Sequence, residues 1–274
     1  IYIIYINISI YIITTMEYQD VIILGAGISG IDMAYHLKTF APKKTFTVLE
    51  RRESFGGTWD VFKYPGVRSD SDMFTFGYAH KPWPSPKPIA PGGDIKAYLK
   101  EAIEEEDLQQ HILFNHHAIK GDWSSENKLW TIFCSNGKIF KCKFIFTCTG
   151  YYNQDAGYLP NFKGMETFKG QIIHPQHWDV NLNYQNKKIV VIGSGATAIT
   201  LIPNLKGAAK PVTMLQRSPT YIMSRINLDE FTDKLLKSDK YTLKEAHAMV
   251  REHKVQEGKR VSNDIIYVYK LVYH

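Results

Sequence analysis

Two stretches of the chain share one plan, in which an apolar strand runs into a glycine-rich turn, a helical pattern and a second strand. The first covers residues 16–50 and the second covers residues 188–216. A strand that returns beside itself through a helix gives a parallel sheet with helices on its faces. The sequence therefore predicts an α/β fold with two Rossmann-like, doubly wound domains. Between the two stretches, Asn136 and Gly137 separate two strand-like runs and indicate a hairpin turn.

The domain boundaries follow from these two stretches. We expect residues 16–150 to form the N-terminal part of one domain, residues 151–183 a linker, and residues 184–260 the first half of a second domain. A doubly wound sheet needs more strands than follow residue 216. We therefore expect both domains to be cut short and the chain to be a fragment.

Both ends of the chain look foreign to such a fold. Residues 1–15 carry no charge and are mostly Ile and Tyr, and residues 261–274 end in a similar run. The first tract lacks the basic start and the cleavage site of a secretory signal, and it is shorter than the roughly 20 residues of a spanning helix. We interpret it as an extension ahead of a natural start at Met16, and we interpret residues 261–274 as a tail.

Composition argues against several classes of protein. The formal net charge of +6 is not concentrated in a run of Lys or Arg, which disfavours nucleic acid as a partner. The three cysteines, at positions 134, 142 and 148, form no C-x-x-C pair, so neither a disulfide framework nor a metal site is predicted. The cytoplasm is the expected location. Peripheral membrane association through residues 1–15 stays open, although no basic flank supports it.

The first glycine turn, residues 25–30, has the G-x-G-x-x-G spacing in Gly25, Gly27 and Gly30. The first glycine permits a tight turn, the second lets backbone N–H groups approach a pyrophosphate, and the third lets helix and strand pack closely. Glu50 closes the following strand, where a carboxylate accepts hydrogen bonds from a ribose without a 2′-phosphate. This pattern predicts a site for FAD or NAD, and the alternative is a glycine turn without a ligand.

The second glycine turn, residues 193–198, has Gly193, Gly195 and Ala198 at the same spacing. The strand after it ends at Gln216, followed by Arg217 and Ser218. A guanidinium and a hydroxyl suit a 2′-phosphate, which a carboxylate would repel. The second turn is therefore predicted to bind NADPH. The alternative for Arg217 is a solvated surface arginine.

Three further motifs give a specific resemblance. Residues 56–59 read Gly-Gly-Thr-Trp, residues 64–72 read Tyr-Pro-Gly-Val-Arg-Ser-Asp-Ser-Asp, and residues 168–179 match F-x-G-x-x-x-H-x-x-x-W-D at each fixed position. The chain resembles flavin-containing and Baeyer–Villiger monooxygenases from about Met16 to about Met223, and it is most similar to their ethionamide-activating subgroup. Trp178 favours the Baeyer–Villiger branch, because related amine and sulfur monooxygenases usually carry another aromatic residue there.

The resemblance implies a role for each matching residue. Residues expected along FAD, including the glycines already named, are Gly25, Gly27, Ser29, Gly30, Glu50, Gly57, Thr58, Trp59, Asp60, Val61, Asp70 and Ala118. Residues expected along NADPH are Arg68, Ser69, Gly193, Ser194, Gly195, Ala196, Thr197, Ala198, Ile199, Thr200, Arg217 and Ser218. Arg68, Asp70 and His174 are the expected catalytic residues. Asp70 matches an acid that orients a catalytic arginine, which we expect beyond residue 274.

The resemblance also implies a reaction. In that family NADPH reduces FAD, and the reduced flavin takes up O2 as a C4a-peroxide that inserts one oxygen atom into a ketone or oxidises a sulfur compound. The expected partners are therefore a small ketone or thio-compound and O2. Two alternatives stay open: a flavin monooxygenase that oxygenates sulfur or nitrogen without ketone activity, and a truncated, non-catalytic remnant that binds cofactors.

Several residues in these motifs also have a purely structural interpretation. Asp72 suits a helix cap, and Trp178 suits a packing anchor. Trp83, in a proline-rich loop, could face a substrate, but packing within the loop is the simpler expectation.

Overall fold

A computed structural model describes residues 16–218, 220, 222, 224 and 226–272. The apolar extension at residues 1–15 and the last two residues of the tail lie outside this range. The described chain divides into two compact units. Residues 16–57 and 103–151 form the N-terminal unit, and residues 58–102 and 152–272 form the C-terminal unit. The domain boundaries expected from the sequence stay a prediction.

The N-terminal unit is built on a six-stranded sheet in the order β3-β2-β1-β6-β5-β4. The first four strands in this order run parallel, and β5 and β4 continue the sheet antiparallel. The helix α1 spans Ile28–Phe40. The strands are β1 (Met16–Leu24), β2 (Phe46–Leu49), β3 (Ile112–Leu113), β4 (Ala118–Ser124), β5 (Leu129–Cys134) and β6 (Ile139–Thr147).

The register of this sheet places the first glycine turn at the carboxyl ends of parallel strands. Leu24 at the end of β1 pairs with Leu49 at the end of β2 and with Thr147 at the end of β6. Ligands of open α/β sheets bind at this edge. The predicted hairpin is confirmed, since Gly137 has a φ of 83° between β5 and β6.

Burial explains why these strands form the centre of the unit. Ile22 and Ile23 of β1 are fully buried, as parallel strands covered on both faces require. Phe140 and Cys142 of β6 and Ile132 of β5 belong to the same core. Burial raises the pKa of the Cys142 thiol to about 11, so this cysteine is a packing residue rather than a nucleophile.

The C-terminal unit contains the second glycine turn between β7 and α5. Its two described strands, β7 (Ile189–Ile192) and β8 (Val212–Leu215), pair in parallel. The helices are α2 (Thr58–Val61), α3 (Met73–Phe76), α4 (Gly92–Glu105), α5 (Ala196–Leu205), α6 (Glu230–Leu236) and α7 (Leu243–Val272). The α/β fold predicted from the sequence is confirmed.

A compact apolar cluster joins α5 to chain segments far away in sequence. Tyr64, Leu201 and Leu205 are buried together, and Trp178 packs against them. Trp178 also contacts Tyr184 edge to face, at 6.1 Å between ring centroids. Trp178 is thus a packing anchor, the simpler of its two interpretations. Among the described residues, no helix is both long and apolar enough to cross a membrane.

Candidate dinucleotide-binding sites

The first glycine turn is crowded by backbone on several sides. The N–H of Gly25 donates to the carbonyl of Leu49 at 2.8 Å, and Gly25 has a φ of 103°. A Cβ on Gly25 would lie 2.6 Å from the carbonyl oxygen of Cys148. A Cβ on Gly30 would lie 1.8 Å from the carbonyl oxygen of Gly25. Both positions therefore require glycine for space, and Gly25 also requires it for its φ.

The middle glycine faces a second glycine from the loop after β2. A Cβ on Gly57 would lie 3.1 Å from the Cα of Gly27, and a Cβ on Gly27 would lie 3.6 Å from the Cα of Gly57. Gly27 is also the N-cap of α1, and no side chain caps this helix end. The two glycines leave a cradle of bare backbone at the positive end of α1, where a pyrophosphate fits.

Glu50 is tied into this turn by both carboxylate oxygens. Its Oε2 accepts from the N–H of Ala26 at 2.7 Å, and its Oε1 accepts from the N–H of Arg52 at 2.9 Å. The side chain is 5% exposed. Each carboxylate oxygen can accept a second hydrogen bond, so the pair can still receive ribose hydroxyls. These residues fit the adenosine half of a flavin dinucleotide.

Two other predicted flavin contacts, Ser29 and Ala118, belong to the N-terminal unit. Ser29 is exposed in the first turn of α1. The carbonyl of Glu50 accepts from the N–H of His116 at 2.8 Å, which ties the segment entering β4 to the end of β2. Ala118, the first residue of β4, follows two residues later.

The second glycine turn repeats the backbone bonds of the first but is open. The N–H of Gly193 donates to the carbonyl of Leu215 at 2.8 Å, and Gly193 has a φ of 120°. The N–H of Ile199 donates to the carbonyl of Gly195 at 3.1 Å, as that of Ile31 does to Gly27. A Cβ on Gly193 or on Gly195 would meet nothing within 4 Å.

The matched hydrogen bonds fix which residues correspond at the ends of the second strands. Because Leu49 and Leu215 accept the same bond, Gln216 occupies the place of Glu50, and Arg217 occupies that of Arg51. The difference between the two sites is therefore the loss of the Glu50 charge, since an arginine follows in both. Gln216 and Arg217 are exposed.

Side chains hold the end of β8 against the second glycine turn. The Ser194 hydroxyl donates to the carbonyl of Ser218 at 3.2 Å and accepts from the hydroxyl of Thr220 at 2.7 Å. The predicted residues on α5, from Ala196 to Thr200, form its first turns. Ser194, just before α5, is thus bonded to the segment that follows β8, and the assignment of these residues to NADPH stays a prediction.

The segment at residues 68–70 is anchored on a neighbouring stretch of backbone. The N–H of Ser69 donates to the carbonyl of Ala90 at 2.9 Å, and Ser69 is 3% exposed. Arg68 and Asp70 form an ion pair at 3.7 Å between Nε and Oδ1, with both side chains about half exposed. The guanidinium of Arg68 and the carboxylate of Asp70 are thus exposed to solvent on a segment whose backbone is held at Ser69.

Asp72 caps α3, as its structural interpretation predicts. Its Oδ1 accepts from the N–H of Thr75 at 3.0 Å, and its Oδ2 accepts from the Thr75 hydroxyl at 2.8 Å. Trp83 is 8% exposed, and its Nε1 donates to the carbonyl of Lys87 at 3.0 Å, so this tryptophan packs within its loop.

Four predicted flavin contacts lie in the short helix α2. Thr58, Trp59 and Val61 are half-buried, and Trp59 contacts Phe76 edge to face. Asp60 is 5% exposed and pairs with Lys96 at 2.5 Å. Because a buried carboxylate needs a partner, this pair accounts for the burial of Asp60 without a ligand.

The glycine and the histidine of the 168–179 motif both make close local contacts. A Cβ on Gly170 would lie 2.5 Å from the Phe168 ring. His174 accepts at Nδ1 from the N–H of Gln176 at 3.2 Å, and its ring lies where a side chain on Gly157 would stand. The structure thus gives His174 a local capping role, and the catalytic role expected from the sequence stays a prediction.

Tyr64, which packs on α5, and Arg251, which bonds to the carbonyl of Phe74, connect distant parts of the C-terminal unit, although the sequence assigns neither of them a role. Their signal lies in contacts between distant residues, which no local pattern reveals. In the described part of the chain, no group of three or more His, Cys, Asp or Glu side chains could hold a metal ion.

The family described as "Flavin-binding monooxygenase-like" matches residues 18–253. The FAD-containing monooxygenase EthA of Mycolicibacterium smegmatis is 54% identical over 222 residues, which cover 80% of this chain and 45% of that protein. The probable FAD-binding monooxygenase AlmA of Acinetobacter baylyi is 51% identical over 226 residues, covering 81% of this chain and 45% of that protein.

Solved structures of monooxygenases are also similar to this chain. An oxidized steroid monooxygenase bound to NADP superposes with a TM-score of 0.66 at 26% identity, covering 74% of this chain and 40% of that one. OTEMO in complex with FAD and NADP gives a TM-score of 0.64 at 28% identity, covering 73% and 39%. The chain thus spans less than half the length of these relatives. The resemblance found in the sequence is confirmed, and the chain belongs to the flavin-binding monooxygenase-like family.

Proposed function

We propose that this chain binds FAD at the first glycine turn and NADPH at the second, as the nucleotide-binding part of a monooxygenase. The whole enzyme would insert one atom of O2 into a ketone, in a Baeyer–Villiger reaction, or oxidise a sulfur compound. The observation that carries the proposal is the exchange of buried Glu50 for exposed Gln216 at matched places in two otherwise equal turns. Relatives named as FAD-containing, and structures with FAD and NADP bound, support it.

At the first glycine turn, residues of this chain would bind FAD and orient it. The bare cradle of Gly27 and Gly57 admits a pyrophosphate, and the amides at the start of α1 favour its charge. Glu50, already fixed by two backbone N–H groups, would accept the ribose hydroxyls. Thr58, Trp59, Asp60, Val61 and the backbone at Ala118 are the further proposed contacts.

At the second turn, the missing carboxylate is the selective feature. A carboxylate at position 216 would repel a 2′-phosphate, whereas the neutral amide of Gln216 does not repel it. Arg217 and Ser218 would bind this phosphate with charge and hydrogen bonds. Gly193, Ser194, Gly195 and the start of α5 would hold the pyrophosphate.

Near the reacting centre, the chain would contribute Arg68, Asp70 and His174. FAD, when bound, supplies the redox chemistry and the activation of O2, and the protein supplies position and charge. Asp70 holds the Arg68 guanidinium at 3.7 Å and has a second oxygen with which it can orient another arginine. Arg68 and Ser69 would border the nicotinamide, and His174 would fix the 168–179 motif.

A coenzyme titration tests the proposal directly. We expect the chain to take up FAD and to bind NADP+ at least tenfold more tightly than NAD+, in isothermal titrations. The variant Q216E should weaken the binding of NADP+ by about tenfold, because it returns a like charge beside the 2′-phosphate, and should strengthen the binding of NAD+, because a carboxylate at this place accepts hydrogen bonds from the free ribose hydroxyls. Q185E adds the same charge ahead of β7, at the opposite end of its strand pair, and is the matched control.

Oxygen consumption and product analysis on the whole enzyme distinguish ketone oxygenation, sulfur oxidation and the absence of catalysis. A ketone converted to an ester or lactone with NADPH would establish the Baeyer–Villiger reaction, and a thioether oxidised without ketone turnover would establish the sulfur-oxygenating alternative. Bound flavin without NADPH-driven oxygen uptake would identify a non-catalytic cofactor-binding chain. Failure to bind FAD, or a preference for NAD+, would overturn the proposal.

A further inference from the structure

Backbone carbonyls of the proline-rich loop, residues 82–91, hold the segment around Ser69. The carbonyl of Ala90 accepts from the N–H of Ser69 at 2.9 Å, and the carbonyl of Pro88 accepts from the N–H of Met73 at 2.8 Å. These two hydrogen bonds join parts of the chain that are about 15 to 20 residues apart in the sequence. The position of the loop therefore determines where this segment lies.

Between these two carbonyls, both backbone groups of Ile89 are bonded to one distant side chain. The N–H of Ile89 donates to Oδ1 of Asn227 at 3.0 Å, and the carbonyl of Ile89 accepts from Nδ2 of Asn227 at 3.0 Å. A side-chain amide presents an acceptor and a donor together, as a peptide group does. Asn227 therefore holds the loop in the way that a neighbouring strand would.

The chain just after Asn227 is itself anchored. The N–H of Asp229 donates to the carbonyl of Pro86 at 2.9 Å, which is a second tie to the same loop. The carboxylate of Asp229 caps α6 by accepting from the N–H of Thr232 at 2.8 Å, and it pairs with Lys254 of α7, with both side chains mostly buried. Asn227 thus bonds to the loop from a fixed place, and of the two ties only its amide belongs to a side chain.

The two hydrogen bonds of Asn227 are the contribution of an exposed side chain. An exposed residue adds little buried apolar area, so the core of the C-terminal unit does not depend on it. Its effect is on the place that the loop takes, and thus on the residues that the loop carries.

We propose that Asn227 is a positioning residue: by bonding to both backbone groups of Ile89 it sets the proline-rich loop, and through the loop it sets the 68–70 segment that would border the nicotinamide. Arg68 itself lies opposite Pro91, the last residue of the loop, in an antiparallel bridge. A segment already held in the free chain saves the cost of ordering it when the nucleotide binds. This inference rests on the proposed function, which gives the 68–70 segment its role.

The substitution Asn227→Ala removes both hydrogen bonds and leaves the backbone tie to the loop in place. We expect it to weaken NADP+ binding by about fivefold in an isothermal titration, as the loss of hydrogen bonds at an exposed site would. It should leave the affinity for 2′,5′-ADP unchanged, because in the proposed arrangement that fragment reaches α5 and Arg217 but not the 68–70 segment. Asn183→Ala is the control, since it removes an exposed asparagine that accepts from the N–H of Gln185 within its own turn.

Hydrogen exchange in the free chain tests the same link without a ligand. In Asn227→Ala, the amides of Ser69 and Met73 should exchange several-fold faster, because they donate to carbonyls of the loop that Asn227 holds. Asn183→Ala should leave both rates unchanged. Faster exchange at Ile89 alone would show that Asn227 protects only its direct partner, and the positioning role would then be wrong.

An acid at position 227 tests the donor half of the amide. Asn227→Asp can still accept from the N–H of Ile89, but its second oxygen cannot donate to the carbonyl of Ile89 when the group is ionised. It should therefore weaken NADP+ binding at least as much as Asn227→Ala. Its affinity for 2′,5′-ADP should stay unchanged, since a loss there would indicate a general effect of the added charge. An Asn227→Asp variant that binds NADP+ as well as the unchanged chain would contradict the proposal.

The binding results distinguish this inference from the proposed function. An unchanged chain that binds neither 2′,5′-ADP nor NADP+ would overturn the proposed function, and the positioning role with it. Binding of both ligands with no loss of NADP+ affinity in Asn227→Ala would overturn only the positioning role. Equal losses for the two ligands would also overturn it, because they would show general damage to the C-terminal unit.

Discussion

The two glycine turns make the same backbone bonds but are closed by different means. In the first, backbone atoms fill the space, because Gly30 lies against the carbonyl of Gly25. The N–H of buried Ala26 donates to the carboxylate of Glu50, on the next strand. In the second, a side chain does this work, since Ser194 stands in the place of Ala26 and its hydroxyl reaches the carbonyl of Ser218. A backbone closure is sensitive to added atoms, and a side-chain closure is sensitive to removed ones.

This contrast extends through the C-terminal unit. Tyr64 packs on α5, and Arg251 bonds to the carbonyls of α3, so side chains hold segments of this unit together. The first turn depends on glycines and on one carboxylate. The comparison suggests that the first turn tolerates little substitution, and that the second can be adjusted one contact at a time. Four predictions test this contrast.

The largest effect is expected from adding one methyl group to the first turn. Gly30→Ala would place a Cβ 1.8 Å from the carbonyl oxygen of Gly25, so the helix or the turn must move. We expect a loss of more than about 3 kcal/mol in the free energy of unfolding. Urea unfolding, followed by circular dichroism, measures it.

The reciprocal change in the second turn is the control. Ala198 occupies the place of Gly30, and Ala198→Gly removes one buried methyl group and adds backbone freedom. It should cost only about 1 to 2 kcal/mol. Equal losses in the two variants would show that the turns do not differ in the proposed way.

A smaller loss is expected from removing the guanidinium that closes α3. Nη1 of Arg251 donates to the carbonyls of Phe74 at 2.8 Å, of Thr75 at 3.3 Å and of Gly77 at 2.9 Å. Arg251→Met keeps the apolar stem but leaves these carbonyls without their charged donor. We expect a loss of about 2 kcal/mol in the same urea experiment.

A substitution at exposed Lys240 is the control for the loss of a positive charge without the loss of hydrogen bonds to α3. Lys240→Met also removes one positive charge, and it should change the unfolding free energy by less than about 0.5 kcal/mol. A loss in Arg251→Met no larger than this would refute the idea that side chains from α7 hold α3.

The sequence was sufficient wherever a few neighbouring residues determine the structure. The glycine turns, the hairpin at Gly137 and the cap at Asp72 depend on local φ angles and hydrogen bonds, and all are found as predicted. Helix boundaries are harder to read from the sequence: α4 begins at Gly92, where two consecutive glycines obscure the helical pattern.

Contacts between distant residues could not be predicted in this way. Nothing near Gly57 indicates that its Cα faces Gly27, and nothing near Arg251 indicates that it reaches α3. The same holds for the match of Gln216 with Glu50, which depends on which carbonyl accepts the glycine N–H. The sequence suggested Arg217 as the selective residue, and the structure adds the absence of a charge beside it.

An acid-sensitive group on α7 gives a third, pH-dependent prediction. His247 is 4% exposed, its Nε2 has no hydrogen-bond partner among the described residues, and burial, with Arg251 nearby, lowers its pKa from 6.5 to about 4. The unfolded chain therefore binds more protons between pH 6.5 and 4, and stability falls as the pH falls through this window.

His247→Leu should remove this contribution. Near pH 7.5 its unfolding free energy should match that of the unchanged chain, because the histidine is neutral there and its Nε2 makes no hydrogen bond that the variant would lose. At about pH 5 the variant should be more stable by about 2 kcal/mol. Burial also lowers the pKa of His111 in the N-terminal unit, so some acid dependence should persist. Identical pH profiles for variant and unchanged chain would exclude His247 as the source.

The smallest change in stability is expected where the second turn is closed by a hydroxyl. Ser194 is bonded to Ser218 and to Thr220 at an exposed site, so Ser194→Ala should cost less than about 0.5 kcal/mol. NADP+ affinity should nevertheless fall several-fold in a titration, because the segment after β8, which carries Arg217, loses its hydrogen bond to the turn. Thr220→Val leaves Ser194 intact but removes its donor, so it should show part of the same loss. If only Ser194→Ala weakens binding, the hydroxyl acts on the nucleotide directly, and the contrast between a backbone closure and a side-chain closure fails at this position.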